Sequence, residues 1–179
     1  MQAYTHLAAG AAIQVAIAGA RRLTLAERFA VGIAAVASHP LLDALARLTY
    51  HPHSPLWSDP LWVAYHLLAA ALFFVFAFQL RAVAFGAFLA LLPDLDWVLR
   101  ALGVQSPWGE GALHRAFGSL PGVSSWVLIT SRWPDFTQVL LACVPELLLA
   151  FGLLAVVRRA TLHRPMDFKL SPNFRGRKR

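Results

Sequence analysis

Two stretches, Ser38-His39-Pro40-Leu41-Leu42-Asp43 and Leu92-Pro93-Asp94-Leu95-Asp96-Trp97, set histidine and carboxylates inside runs otherwise apolar enough to lie in a lipid bilayer. An ionisable side chain at membrane depth costs about 2.5 kcal/mol or more, so it is usually paired, metal-bound or beside a water-filled cavity. Working outward, residues 29–48 and 82–99 form the apolar surroundings of the two motifs, and residues 3–20, 61–80 and 136–157 are similar runs. A helix crossing the hydrocarbon core needs about 20 mostly apolar residues. The expected fold is therefore all-α: a polytopic membrane bundle of about five transmembrane helices, with an interfacial segment between the fourth and fifth.

Composition agrees. Of 179 residues, 58% are hydrophobic and 14% charged, whereas a soluble domain carries about 25% charge. The lone cysteine, Cys143, excludes an intrachain disulfide framework and a thiolate zinc cluster. Any metal must be held by nitrogen and oxygen.

The first run is short and alanine-rich, with Gln14 inside it. Ala18-Gly19-Ala20 resembles a leader cleavage site, but no positive charge precedes the run. Small residues let helix backbones approach closely in lipid, so this helix is expected inside the bundle. Eight of the 16 Lys and Arg residues follow Val157. Such a tail fits a cytoplasmic anchor at anionic headgroups better than a nucleic-acid grip, because no aromatic-basic interleaving accompanies it. Residues 1–160 are expected to form one transmembrane domain and 161–179 a disordered cytoplasmic tail. With the tail inside, five spans place the N-terminus outside. Trp108, Trp126 and Trp133 suit a surface segment over residues 103–135.

That topology brings the ionisable groups to one outer depth. His39 and Asp43, four apart, share a helix face. Pro93 loosens the backbone so that Asp94 and Asp96 can reach one centre. His6, His66 and His114 fall at the same side, with Glu146 nearer mid-span. Imidazole with carboxylates suits zinc or manganese, and a bound ion makes hydrolytic chemistry reasonable. The expected ligands are His39, Asp43, Asp94, Asp96 and His114, with His6 a further ligand or proton-transfer group. Arg115 is positioned to orient an anionic substrate, and Glu146 or His66 to assist proton transfer. Each also has a bland alternative: His66 and Glu146 can simply hydrogen-bond between helices. The spacing Pro40…Asp43…Arg47 parallels Pro93…Asp96…Arg100 and suggests an internal repeat.

Thr5-His6-Leu7, Ser38-His39 with Leu42-Asp43, Leu92-Pro93-Asp94-Leu95-Asp96 and His114-Arg115 together resemble the bacterial membrane-bound metal-dependent hydrolase family of YdjM-like inner-membrane proteins. These pieces spread over about two-thirds of the chain. The resemblance implies a multi-pass inner-membrane hydrolase that contacts lipid and acts on a phosphoester or lipid-linked substrate. Where the family pattern continues after His-Arg with glycine and a Thr-His-Ser group, this chain has Ala116, Phe117, Gly118, Ser119 and Leu120. The metal set is then either incomplete or completed by His66 or Glu146. Alternatives using the same acids are a small transporter or ion-binding protein, and a non-catalytic protein stabilised by metal.

Overall fold

The computed structural model describes residues 1–45, 49, 58–95, 98–99, 102–104 and 136–162. Among them the regular structure is all helical: α1 (Ala3–Ala18), α2 (Leu25–Leu45), α3 (Pro60–Gln79), α4 (Ala84–Leu89) and α5 (Phe136–Leu162), with 3-10 turns at Arg81–Val83 and Leu92–Asp94. Two helices, over Leu25–Asp43 and Pro60–Gln79, are long and apolar enough to cross a membrane.

Local chemistry sets the helix ends. The start expected near residue 29 lies instead at Leu25, because Thr24 and Glu27 form a reciprocal capping box. The Thr24 amide donates to Glu27 Oε2 at 2.8 Å, and the Glu27 amide donates to Thr24 Oγ1 at 3.3 Å. Arg21 pairs with the same carboxylate. Asp59 caps α3 by accepting from the Leu61 amide at 2.9 Å, and Pro60 supplies the first residue. α5 runs past residue 157 to Leu162, so the helix includes the first two residues assigned to the tail.

The span expected over residues 82–99 is not one helix. α4 has six residues, about 9 Å of rise, against a hydrocarbon core of about 30 Å. The reason lies in Pro93, which offers no amide to Leu89. The chain tightens around it: the Asp94 amide turns to the Leu91 carbonyl at 2.9 Å, leaving the Ala90 carbonyl outside the helical ladder.

α1 is the hub, packing against α2, α3, α4 and α5. Tyr4, Leu7, Ala8 and Ala11 share a core with Phe76, Leu80, Val83, Ala87, Ala150 and Leu154. Its approach to α4 is backbone on backbone, since a Cβ added at Gly10 would lie 2.1 Å from the Gly86 carbonyl oxygen and one at Gly86 would lie 2.4 Å from the Gly10 oxygen. Gln14, four residues on, accepts the Gly86 amide at 2.7 Å. That amide belongs to the first turn of α4 and has no intrahelical partner, so the side chain that interrupts the apolar run of α1 satisfies it.

The outer faces are apolar. On α2, Val31, Ala35 and His39 point inward, while Phe29 (64%), Ile33 (70%) and Leu41 (63%) are exposed. α3 does the same with Leu67, Phe74 and Phe78.

Gly10→Leu is expected to abolish the α1–α4 contact and unfold the protein, because a side chain cannot share space with a carbonyl. Gly152→Ala meets nothing within 4 Å and is expected to retain or slightly raise stability, by up to about 1 kcal/mol. Gln14→Leu leaves the Gly86 amide buried without an acceptor, at a cost of about 1–3 kcal/mol. Thermal unfolding in detergent, followed by fluorescence, separates the three.

Candidate metal centre

His39 and Asp43 lie one turn apart on the inner face of α2, with Pro40 accommodated inside the helix. His39 Nε2 is 3.1 Å from Asp43 Oδ2 and 3.3 Å from Asp94 Oδ1, so the two motifs meet. From α1, the His6 ring stacks on that of His39 at 3.9 Å between centroids and 16° between planes. Its Nε2 stands 3.2 Å from Asp43 Oδ1. One donor atom from each of His6, His39 and Asp43 falls within 4.8 Å of the others, and this group can hold a metal ion.

Burial divides the group. The two imidazoles are buried, whereas the Asp43 and Asp94 side chains are 33% and 32% exposed. The cluster therefore has a closed histidine side and an accessible carboxylate side. The nitrogen of Met1 also reaches Asp43 Oδ1, at 2.8 Å.

The donor set passes a chemical test for a metal. His6 is fully buried, yet neither ring nitrogen makes an aligned hydrogen bond among the described residues, its approach to Asp43 being off-line. A buried polar group without a partner costs about 1–3 kcal/mol, a cost that coordination removes. His39 is held differently: its Nδ1 lies 2.8 Å from the Ala90 carbonyl oxygen. A carbonyl only accepts, so Nδ1 carries a proton, and Nε2 is the ring nitrogen turned to the two carboxylates, to which it donates when protonated and beside which it can bind an ion once that proton is lost. The contact with Ala90 is the outer hydrogen bond that metal-ligating histidines characteristically make. It exists because Pro93 breaks the helix and frees Ala90.

The other residues singled out from sequence fall into three groups. Asp94 joins the cluster through His39. Asp96, His114 and Arg115 lie outside the described residues. His66 and Glu146 sit in other surroundings: His66 Nδ1 is 2.8 Å from the Trp62 carbonyl one turn back, and its ring stacks on Trp62 at 3.9 Å. Glu146 is buried and accepts from the Gln2 amide, Thr5 Oγ1 and Tyr65 Oη. Sequence reasoning missed the Ala90 carbonyl and Gln14. Only the proline at 93 hinted at the first, and only the eight-residue interval from His6 to Gln14 hinted at the second.

Comparison with known proteins finds no matching family model, no matching curated protein and no matching solved structure.

Pro93→Ala is expected to let the helix ladder close over Ala90 and withdraw its carbonyl from His39. Divalent-metal affinity should fall by about 10- to 100-fold, the range for loss of an outer-shell partner. A competition titration with Zn2+ measures it.

Proposed function

We propose that this chain is a multi-pass membrane protein with a divalent metal centre at His6, His39, Asp43 and Asp94, and that the centre hydrolyses a phosphoester or lipid-linked substrate. The observation that carries it is the convergence of two buried imidazoles on partly exposed carboxylates at a break in the helical backbone. Nitrogen and oxygen donors in this ratio suit zinc or manganese. Irregular backbone at membrane depth is tolerated where it is buried in protein or lines a cavity, and broken helices commonly build binding sites there.

Membrane residence is supported by the exterior. The two segments long and apolar enough to cross a membrane are each only 22% buried, so much of their hydrophobic surface faces outward. Lipid is the solvent that makes this favourable, and the basic residues after Val157 suit the cytoplasmic side of an inner membrane. Five crossings then need the 82–99 region to pass as a broken segment, and the site faces the extracytoplasmic side.

When bound, the ion supplies a Lewis acid that activates water near neutral pH and polarises the ester. The chain supplies the rest. His39, tethered to Ala90, and His6, stacked on it, form the fixed wall. Asp43 and Asp94 lie on the accessible side, where an incoming substrate meets the centre. The residues that carry the family resemblance include all four of these side chains, and Arg115 is the group assigned to the substrate anion.

Full-length protein purified in detergent is expected to contain stoichiometric zinc or manganese by elemental analysis. It should hydrolyse an aryl phosphodiester or a lipid phosphate ester in a chelator-sensitive manner. His39→Ala and Asp43→Asn should lose the metal and lower hydrolysis by about a hundredfold or more, beyond what outer-shell changes cause. Metal retained without hydrolysis of any ester would leave a structural metal centre, and no metal at all would end the proposal.

A further inference from the structure

Glu146 is the one buried carboxylate among the described residues that stands apart from the metal centre, and its contacts are long-range. It lies on α5, yet Oε1 accepts the Gln2 amide at 2.5 Å and Thr5 Oγ1 at 3.1 Å, from the cap and the first turn of α1. Oε2 accepts Tyr65 Oη, from α3, at 3.1 Å. Three helices meet on one side chain.

The partners on α1 are specific. Gln2 is the residue that caps α1, and its own side chain makes no capping bond. Thr5 occupies the third helical position, where a capping box would carry Glu or Gln to reach back to the cap amide. Here a carboxylate 144 residues away performs that reach. The next residue after Thr5 is His6. Its ring reaches across to α2, stacking on His39 and standing 3.2 Å from Asp43 Oδ1, and it makes no aligned hydrogen bond to α1 among the described residues. Its position depends on where the first turn of α1 is held, and Glu146 holds that turn.

We infer that Glu146 is a positioning residue for His6: it pins the first turn of α1 to α3 and α5 and thereby sets the imidazole at the metal centre. The inference rests on the metal centre proposed above. It gives Glu146 a role distinct from proton transfer, because all three contacts occupy its carboxylate oxygens and none leads to the His39–Asp43 pair. The control of metal affinity is consequently shared between α5 and α1.

The test uses the full-length protein in detergent, with Zn2+ affinity by competition and the visible spectrum of the Co2+ form as readouts. Glu146→Gln keeps the size but puts an amide where a donor must be met. It is expected to weaken Zn2+ binding about tenfold, the lower end for outer-shell losses, and to shift the Co2+ spectrum toward that of His6→Ala. The double variant should bind no more weakly than His6→Ala alone, since both changes remove the same ligand. Thr5→Val removes one donor and should move affinity and spectrum in the same direction, which keeps the test open should Glu146→Gln not fold. Wild-type affinity and spectrum in the folded variants, or losses that multiply in the double variant, would overturn the inference. Absence of Zn2+ binding by the wild type would instead remove the metal centre itself, so the two failures are distinguishable.

Discussion

The close approach of α1 and α4 at Gly10 and Gly86 is the constraint on which the rest depends. No side chain separates the two backbones, and each glycine occupies space that a Cβ would need. His6, Gly10 and Gln14 recur at intervals of four and so form one stripe of α1. The middle member permits contact, the last satisfies an amide of α4, and the first is delivered to α2. Substituting bulk for intimacy at Gly10 would move all three. For the membrane residence proposed above, where apolar burial drives little association, such close packing and the hydrogen bond beside it would supply the cohesion.

A second constraint is the proline at 93. In a water-soluble helix a break exposes carbonyls to solvent, but in a low-dielectric interior each freed carbonyl needs a donor. Ala90 finds one in His39 Nδ1. The break thus does two things at once: it admits Asp94 to the cluster, and it holds the Nδ1 proton and so the direction of the histidine ring. Glu146 plays a corresponding part at the start of α1, where helix-start amides lack partners. His39, Gln14 and Glu146 thus each use a hydrogen bond to join elements far apart in sequence.

Much of the site was legible before folding. His39 and Asp43 share a face by arithmetic alone, and acids in apolar runs needed compensation whatever the topology. That Asp94 meets them followed from placing both motifs at one depth, and the contact between His39 and Asp94 agrees with that placement. The fourth apolar run reads as one long helix because hydropathy averages over a window and does not register the missing amide at Pro93 that ends α4 early. The start of α2 was placed late for a similar reason: the apolar run begins at Phe29, but the capping box at Thr24 and Glu27 begins the helix. His66 looked equivalent to the other histidines by depth, and its rotation toward Trp62 is invisible to any argument from depth.

Sequence by itself determined the helical class, the apolar exterior and the chemical character of the centre, because hydropathy, periodicity and residue type are local properties. Tertiary structure alone decided which carbonyl orients His39, which carboxylate holds the start of α1, and why Gln14 belongs in an apolar helix. Those are contacts between residues as much as 144 positions apart. They are set by how closely two backbones can approach and by the requirement that each buried donor meet an acceptor, and neither quantity exists until the helices are packed.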